Sequence, residues 1–353
     1  MATPDSDRPV LLWLRDDLRM ADNPALLRAV ECGRPVIALF VLDDVSPDLR
    51  PLGTASRRWL LLSLADLSER FARLGGSLCL RRGPAGEIVA AVAEEIGAAE
   101  VVWNRRHLPA QTAIDADLKR RLRGEGRVAE SFPANLLHEP HVVKTAAGAP
   151  FRVFTPFWRA ARGAGRWRLP LPAPRAIRGS ATSPPSLDPG DLASSPRRSD
   201  RAAGLDATWT PGERGATARL DHFLDDGLRG YATGRDRPDL GHTSYLSPHL
   251  RFGEISPFTV AAAVASRVAA DPTLAADADK FLAELGWREF AHHLAFHFGD
   301  LSLREFQPRF ETFPWRHDEA LLDAWRNGRT GYPLVDAGMR ELWATGTMHN
   351  RVR

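Results

Sequence analysis

Along the first 135 residues, short apolar runs alternate with longer amphipathic ones. PVLLWL (Pro9–Leu14) is a continuous apolar run bounded by charged residues, the pattern of a buried strand. A helix is predicted from about Asn23, with Pro24 at its first position. VIALFVL (Val36–Leu42) reads as a second strand. Ala55–Leu74 then carries Leu60, Leu64, Leu67, Phe71 and Leu74 at helical spacing and stops at Gly75-Gly76. SLCLRRG gives a third strand, Ala85–Gly97 a helix, Glu100–Asn104 a fourth strand, Gln111–Gly124 a helix and Arg127–Phe132 a fifth strand. Such alternation predicts right-handed crossovers and a doubly wound, parallel, five-stranded α/β sheet. Sheets of this kind bind ligands at the C-terminal ends of their strands. No G-x-G-x-x-G follows the first strand, which argues against a standard dinucleotide fingerprint there.

The pattern then changes twice. FRVFTPFWRAAR (Phe151–Arg162) is aromatic-rich and reads as packed, whereas 163–211 turns to Pro, Ser, Arg and Gly without periodicity. A stretch of that length and composition is predicted to connect domains. After Pro211 the periodicity is helical throughout. Glu213–Leu228 places Leu220, Phe223, Leu224 and Leu228 on one face, and Ser256-Pro257 caps a helix running to about Ala270. Asp277–His297 is a long amphipathic segment, Asp318–Asn327 ends at Gly328, and Pro333–Thr345 ends at Gly346. The predicted division is an α/β domain over 1–135, a connector over 136–210 and an all-helical domain over 211–353.

Composition adds limits. The chain has 353 residues and a formal charge of +3, and only Lys119, Lys144 and Lys280 among its 47 basic residues are lysine. Arginine is the better phosphate and stacking residue, although a codon bias toward Arg, Ala, Gly and Pro gives the same count. Cys32 and Cys79 do not suggest a disulfide framework, so a reducing compartment is expected. MATPDSDRP is too short and polar for a signal peptide and no apolar run is long enough to span a membrane. A cytoplasmic protein is therefore expected.

Four stretches carry a resemblance. LLWLRDDLRMADNPAL (Leu11–Leu26), GHTSYLSPHLRFGEISP (Gly241–Pro257), FLAELGWREFAHHL (Phe281–Leu294) and TGYPLVDAGMRELWATGTMHNRVR (Thr330–Arg353) resemble, in order, blocks of the photolyase/cryptochrome family of blue-light flavoproteins. The resemblance spans essentially the whole chain. It implies an antenna α/β domain joined to an all-α FAD-binding domain.

Residue by residue, TSYLS offers hydroxyls and backbone N–H groups before a helical stretch, which suits either a capping turn or a pyrophosphate. The resemblance favours the pyrophosphate for Thr243, Ser244, Leu246 and Ser247, with Leu246 acting through its backbone, and implies flavin contacts from Tyr231 and Phe281. Glu284, Trp287 and Arg288 stand at i, i+3 and i+4 and share a helix face. By themselves they read as a salt bridge beside a half-buried tryptophan. The resemblance implies a flavin contact from Arg288, a hydrogen bond from Glu284 to damaged bases, and a stacking platform in Trp287 for an extruded lesion. Asn350 is similar to the asparagine facing flavin N5 in repairing members, which points to class I enzymes for cyclobutane pyrimidine dimers. Arg351 is implied to meet a DNA phosphate, Arg353 to lie near the flavin ring, and Trp315 to be an outer electron-transfer tryptophan.

The implied chemistry is light-driven electron transfer from reduced FAD to the dimer, acting on UV-damaged DNA as a monomer without metal. His292-His293 reads as a surface pair rather than a metal site. Thr347 replaces the family's usual tryptophan, and His107 and Gln111 differ from a folate-type antenna pocket. A second chromophore, methenyltetrahydrofolate or a deazaflavin, thus stays open. A cryptochrome-like photoreceptor is the alternative. The chain also stops where the family's helical domain continues, so a truncated helical domain that holds FAD poorly, or an inactive fragment, is expected.

Overall fold

A computed structural model of the chain describes residues 7–181, 183–193, 201–299, 301 and 305–353. Five parallel strands, β1 (Val10–Leu14), β2 (Val36–Leu42), β3 (Leu78–Arg82), β4 (Glu100–Asn104) and β5 (Val128–Phe132), form one sheet in the order β3-β2-β1-β4-β5. β1 lies at the centre, with Leu12 opposite Ala38 on one side and Val102 on the other. Every residue of β1, β2 and β4 is buried, which is why these segments read as unbroken apolar runs.

Side chains alternate between the two faces of the sheet. Leu12, Leu14, Ala38 and Phe40 pack with Leu26 of α1 (Pro24–Glu31) and Leu60, Leu64 and Phe71 of α2 (Thr54–Arg73). Leu11, Trp13, Ile37 and Trp103 pack with Val89 of α3 (Ala85–Glu95) and Leu118 of α4 (Pro109–Gly124). The strand order reverses between β1 and β4, so the loops that follow them diverge and open a crevice at the strand ends.

After α5 (Phe154–Gly163) the chain runs back over the α/β layer. Described residues of the aperiodic stretch are anchored there. Val36 bridges Gly179, Ile177 N–H donates to Leu74 O at 2.7 Å, and Ile177 and Leu192 enter the α/β core. Residues predicted as connector also form α6 (Arg201–Thr208). The predicted helix Glu213–Leu228 divides into α7 (Glu213–His222) and a π-turn, Phe223–Gly227, yet all four of its apolar residues are buried.

α8 (Tyr231–Gly234), α9 (Ser247–Phe252), α10 (Pro257–Ala270), α11 (Ala275–Phe298), α12 (Glu319–Arg326) and α13 (Pro333–Thr345) complete the helical part. Ser256 caps α10 by accepting from Thr259 N–H at 3.0 Å. Gly346 ends α13 at φ 75°.

The helical part docks on the loop after β1. Glu213 accepts from Met20 and Ala21 N–H at 2.8 and 2.9 Å, and Trp59 donates to buried Glu254 at 2.8 Å. Gly253, at φ 66°, meets the Asp16–Asp17 backbone so closely that a Cβ would lie 2.0 Å from Asp16 O. Any side chain there would force the two parts off register.

Candidate functional site

The crevice at the strand ends continues into a cleft of about 570 Å³, within the range of roughly 300–1,000 Å³ that holds cofactors. Its α/β wall comes from Asp16 after β1, Arg105–Leu108 after β4, and Asn135 and Leu136 after β5. The facing wall comes from α8, the turn before α9, α11 and the segment after α13.

Of the residues singled out in the sequence, Tyr231, Thr243, Ser244, Leu246, Ser247, Phe281, Glu284, Arg288 and Asn350 all line this one cleft. Tyr231 is buried, edge-on to Phe223 and Phe281 at 5.5 and 5.4 Å, and burial pushes its phenol up to about 12. It therefore stays neutral and serves as a packing surface with one polar end. Tyr245 takes φ 53°, and on either side of this turn Thr243, Ser244 and Ser247, the first residue of α9, line the cleft. Ser244 Oγ accepts from Leu246 N–H at 3.4 Å.

Arg288 donates to Asn135 O at 2.7 Å and lies 3.5 Å from Glu289, so a guanidinium of the helical part is tied to the α/β wall. Desolvation pulls its pKa down, against the attraction of Glu289 and Asp16. Glu284 is ion-paired with Arg235, whose guanidinium also sits 5.8 Å from the Tyr231 ring centre. With Arg105, Arg106 and Arg251 also lining it, the cleft presents more cationic than anionic side chains, which suits a phosphate-bearing ligand.

These groups fit FAD: hydroxyl donors and guanidinium groups for a pyrophosphate, aromatic surface for flat rings, and amide and carboxylate groups at the far end. Among the described residues, His292 Nδ1 and His349 Nε2 are buried without a hydrogen-bond partner, and both residues line the cleft, as does His107, whose Nε2 faces Glu139 at 3.5 Å. Such orphaned ring nitrogens are what a bound polar molecule would satisfy. No group of three or more His, Cys, Asp or Glu side chains among the described residues is arranged to hold a metal ion.

Four singled-out residues lie outside the lining. Trp287 is half-exposed on α11 and stacks on Phe154. Arg351 is paired with Asp236 at 2.7 Å, and Arg353 donates to Asn350 Oδ1 at 2.8 Å. Trp315 is exposed, tilted against Phe313 with ring centres 4.6 Å apart.

The reading of His292-His293 as a surface pair is corrected. His293 is buried, its Nε2 accepting from Phe151 N–H at 3.0 Å, while His292 faces the cleft, where burial holds its pKa down at about 3. The helix is covered on that side by the segment around Pro140 and Phe151, which the sequence pattern did not associate with it.

Arg235 and Glu289 were also missed. Arg235 follows Tyr231 by four residues and so sits one turn on, a spacing that would have found it. Buried Glu289 had no such signal. The two cysteines are unpaired, Cys79 buried in β3 and Cys32 at the end of α1.

Comparison with known proteins comes from three directions. Residues 10–175 match the family model described as DNA photolyase, and residues 281–353 match the FAD binding domain of DNA photolyase. The chain is 45% identical to the deoxyribodipyrimidine photo-lyase of Agrobacterium fabrum over 98% of its own length and 71% of that protein. It is 37% identical to Cryptochrome-1 of Arabidopsis thaliana over 97% of its length and 51% of that protein. Among solved structures, a bacterial class III photolyase from Agrobacterium tumefaciens superposes with a TM-score of 0.93 at 44% identity, covering 100% of this chain and 72% of that one.

Proposed function

The chain belongs to the DNA photolyase family, and we propose that it binds FAD in the cleft and uses blue light to split cyclobutane pyrimidine dimers in DNA. Held there, reduced FAD would supply, on excitation, an electron that opens the cyclobutane ring and returns to the flavin once the bases have separated. The chain's own residues hold, orient and shield. The hydroxyls of Thr243, Ser244 and Ser247 and the Leu246 N–H would receive the pyrophosphate, with Tyr231 and Phe281 as apolar packing beside it. Arg288 and Arg353 would meet the flavin, and the Asn350 amide its ring edge.

On the DNA side, Glu284 would accept a hydrogen bond from an extruded base, Trp287 would stack on it, and Arg351 would meet a phosphate. Crosslinked pyrimidines stack poorly in a duplex, so turning them out costs less than for ordinary bases. Trp315, exposed at the surface, would be the outer end of an electron-transfer chain to the flavin.

The observation that carries this reading is the gathering of nine separately singled-out residues on one cleft. Within the family, the 44% identity to a bacterial class III photolyase supports that subclass over the class I expected from the terminal motif. The proposal extends to a cytoplasmic monomer that needs no metal. No described helix is long and apolar enough to cross a membrane.

A photoreceptor without repair is the second reading, favoured by the identity to Cryptochrome-1 and by Thr347 at the usual tryptophan position. Asn350 favours repair. The test is to reconstitute the chain with FAD, record the flavin band, and illuminate a dimer-containing oligonucleotide under reducing conditions. Loss of dimers under blue light and not in darkness is expected. A flavin-loaded protein that leaves the dimers intact would reject repair in favour of the photoreceptor.

A further inference from the structure

Trp287 is exposed enough to stack on a ligand, but one of its faces is already covered. The Phe154 ring lies 3.8 Å away, centre to centre, and 10° from parallel. Phe154 opens α5, an element remote in sequence from α11. One turn further along α5, Trp158 lies 6.4 Å from Phe154 and 11° from parallel.

Trp158 is seated in turn against α11 at Gly286, where a Cβ would fall 2.5 Å from its ring. Phe290 closes the side, edge-on to Phe154 and to Trp287 at 6.0 Å each. An indole alone on a helix surface would exchange rotamers, whereas this one is held in a plane set by a second element.

We propose that Phe154 is a positioning residue for dimer recognition: it occupies the inner face of Trp287 and fixes the ring so that only the outer face receives the extruded pyrimidines. The inference rests on Trp287 acting as the stacking platform. Trp158, seated on Gly286, anchors Phe154. A plane fixed in advance removes the ordering cost that a mobile indole would meet on binding.

The test is equilibrium binding in darkness, with the FAD-loaded chain and two oligonucleotides of one sequence, with and without a cyclobutane dimer. Phe154→Leu keeps the apolarity and most of the residue volume but loses the flat face. It is expected to weaken dimer binding by about two- to tenfold, the scale of one aromatic pair, and to leave undamaged DNA unaffected. Phe154→Tyr should restore the wild-type value. Trp287→Ala should weaken dimer binding at least as much, and adding Phe154→Leu to it should change nothing further.

If Trp287→Ala weakens binding and Phe154→Leu does not, the positioning role is wrong while the platform stands. If Trp287→Ala has no effect, the platform fails and the positioning role fails with it. Equal weakening on damaged and undamaged DNA by Phe154→Leu, or no recovery with Tyr, would mark Phe154 as ordinary packing and overturn the proposal.

Discussion

Arg353 donates from Nη2 to Asn350 Oδ1 at 2.8 Å. One of the two lone pairs of the amide oxygen is thereby engaged, which fixes the turn of the amide and leaves its NH₂ group as the donor that Asn350 can present to the cleft. Both residues are exposed, so the bond itself contributes below about 1 kcal/mol to folding. Its consequence lies in orientation. Arg353→Ala should leave the thermal midpoint within a few degrees and lower the yield of dimer repair several-fold, read as dimers split per absorbed photon. An unchanged yield would mean that the amide is oriented by something else.

A second surface contact bears on DNA. Arg351 donates to Asp236 through Nε at 2.8 Å and Nη2 at 2.7 Å, and this pairing is the main cause holding the Asp236 carboxyl below its usual value. The arginine expected to meet a phosphate is therefore already engaged by a carboxylate, which DNA must displace. Asp236→Asn should raise affinity for undamaged duplex about three- to tenfold at low salt, because one more free cation is available. The slope of log K against log salt should fall by about 0.9, the increment for one phosphate contact, in Arg351→Ala, and should stay as in the wild type in Asp236→Asn, where the same arginine meets the same phosphate. A slope that Arg351→Ala leaves unmoved would place Arg351 off the DNA path.

These two contacts also mark the limit of what the sequence alone revealed. The strands were legible because both faces of the sheet are covered, which makes each one an unbroken apolar run. The helices after Pro211 were legible from their spacing. The anchored stretch between α5 and α6 was not, because Ile177 and Leu192 are isolated apolar residues whose partners lie across the fold. In the site, nine residues singled out in the sequence line one cleft, while Trp287, Arg351, Arg353 and Trp315 lie outside its lining. Residues whose role depends on a second element were not legible: Phe154 against Trp287, Asp236 against Arg351, and the 138–151 segment over His293. Local pattern carries no record of such pairings.

Thr347 lines the cleft where the family usually has tryptophan. Its N–H donates to the Thr345 hydroxyl at 3.3 Å, a contact through the backbone that a different side chain leaves intact. A small side chain there forgoes stacking, which is worth ~1–3 kcal/mol per base. Thr347→Trp should therefore tighten dimer binding about fivefold, taking the low end of that range. Undamaged DNA should bind as before. Equal tightening on both DNAs would show that the new ring meets something other than the extruded dimer.

Glu289 gives the chain a pH signature. Its carboxylate is buried on α11 where the helical part meets the α/β part, accepting from His138 N–H at 3.1 Å with Arg288 3.5 Å away. Burial raises its pKa to about 7, opposed by Arg288 and by the His138 and Leu137 backbone, and aided slightly by Glu139. The folded state thus binds a proton more tightly than the unfolded chain, whose glutamate titrates near 4.5. Between those values the folded protein carries more protons, so stability falls as pH rises through this window. The loss amounts to about 3 kcal/mol at most and is complete above pH 7. Neighbouring His107, His138 and His292 act in the opposite sense. Burial lowers their pKa values, so the stability they contribute is present above the ordinary histidine value and lost on acidification. Glu289→Gln isolates the carboxyl from them. Urea midpoints of the two proteins should coincide near pH 4.5 and separate progressively up to pH 8, with the glutamine variant the more stable. Parallel curves across that range would mean that Glu289 titrates alike in the folded and unfolded chain.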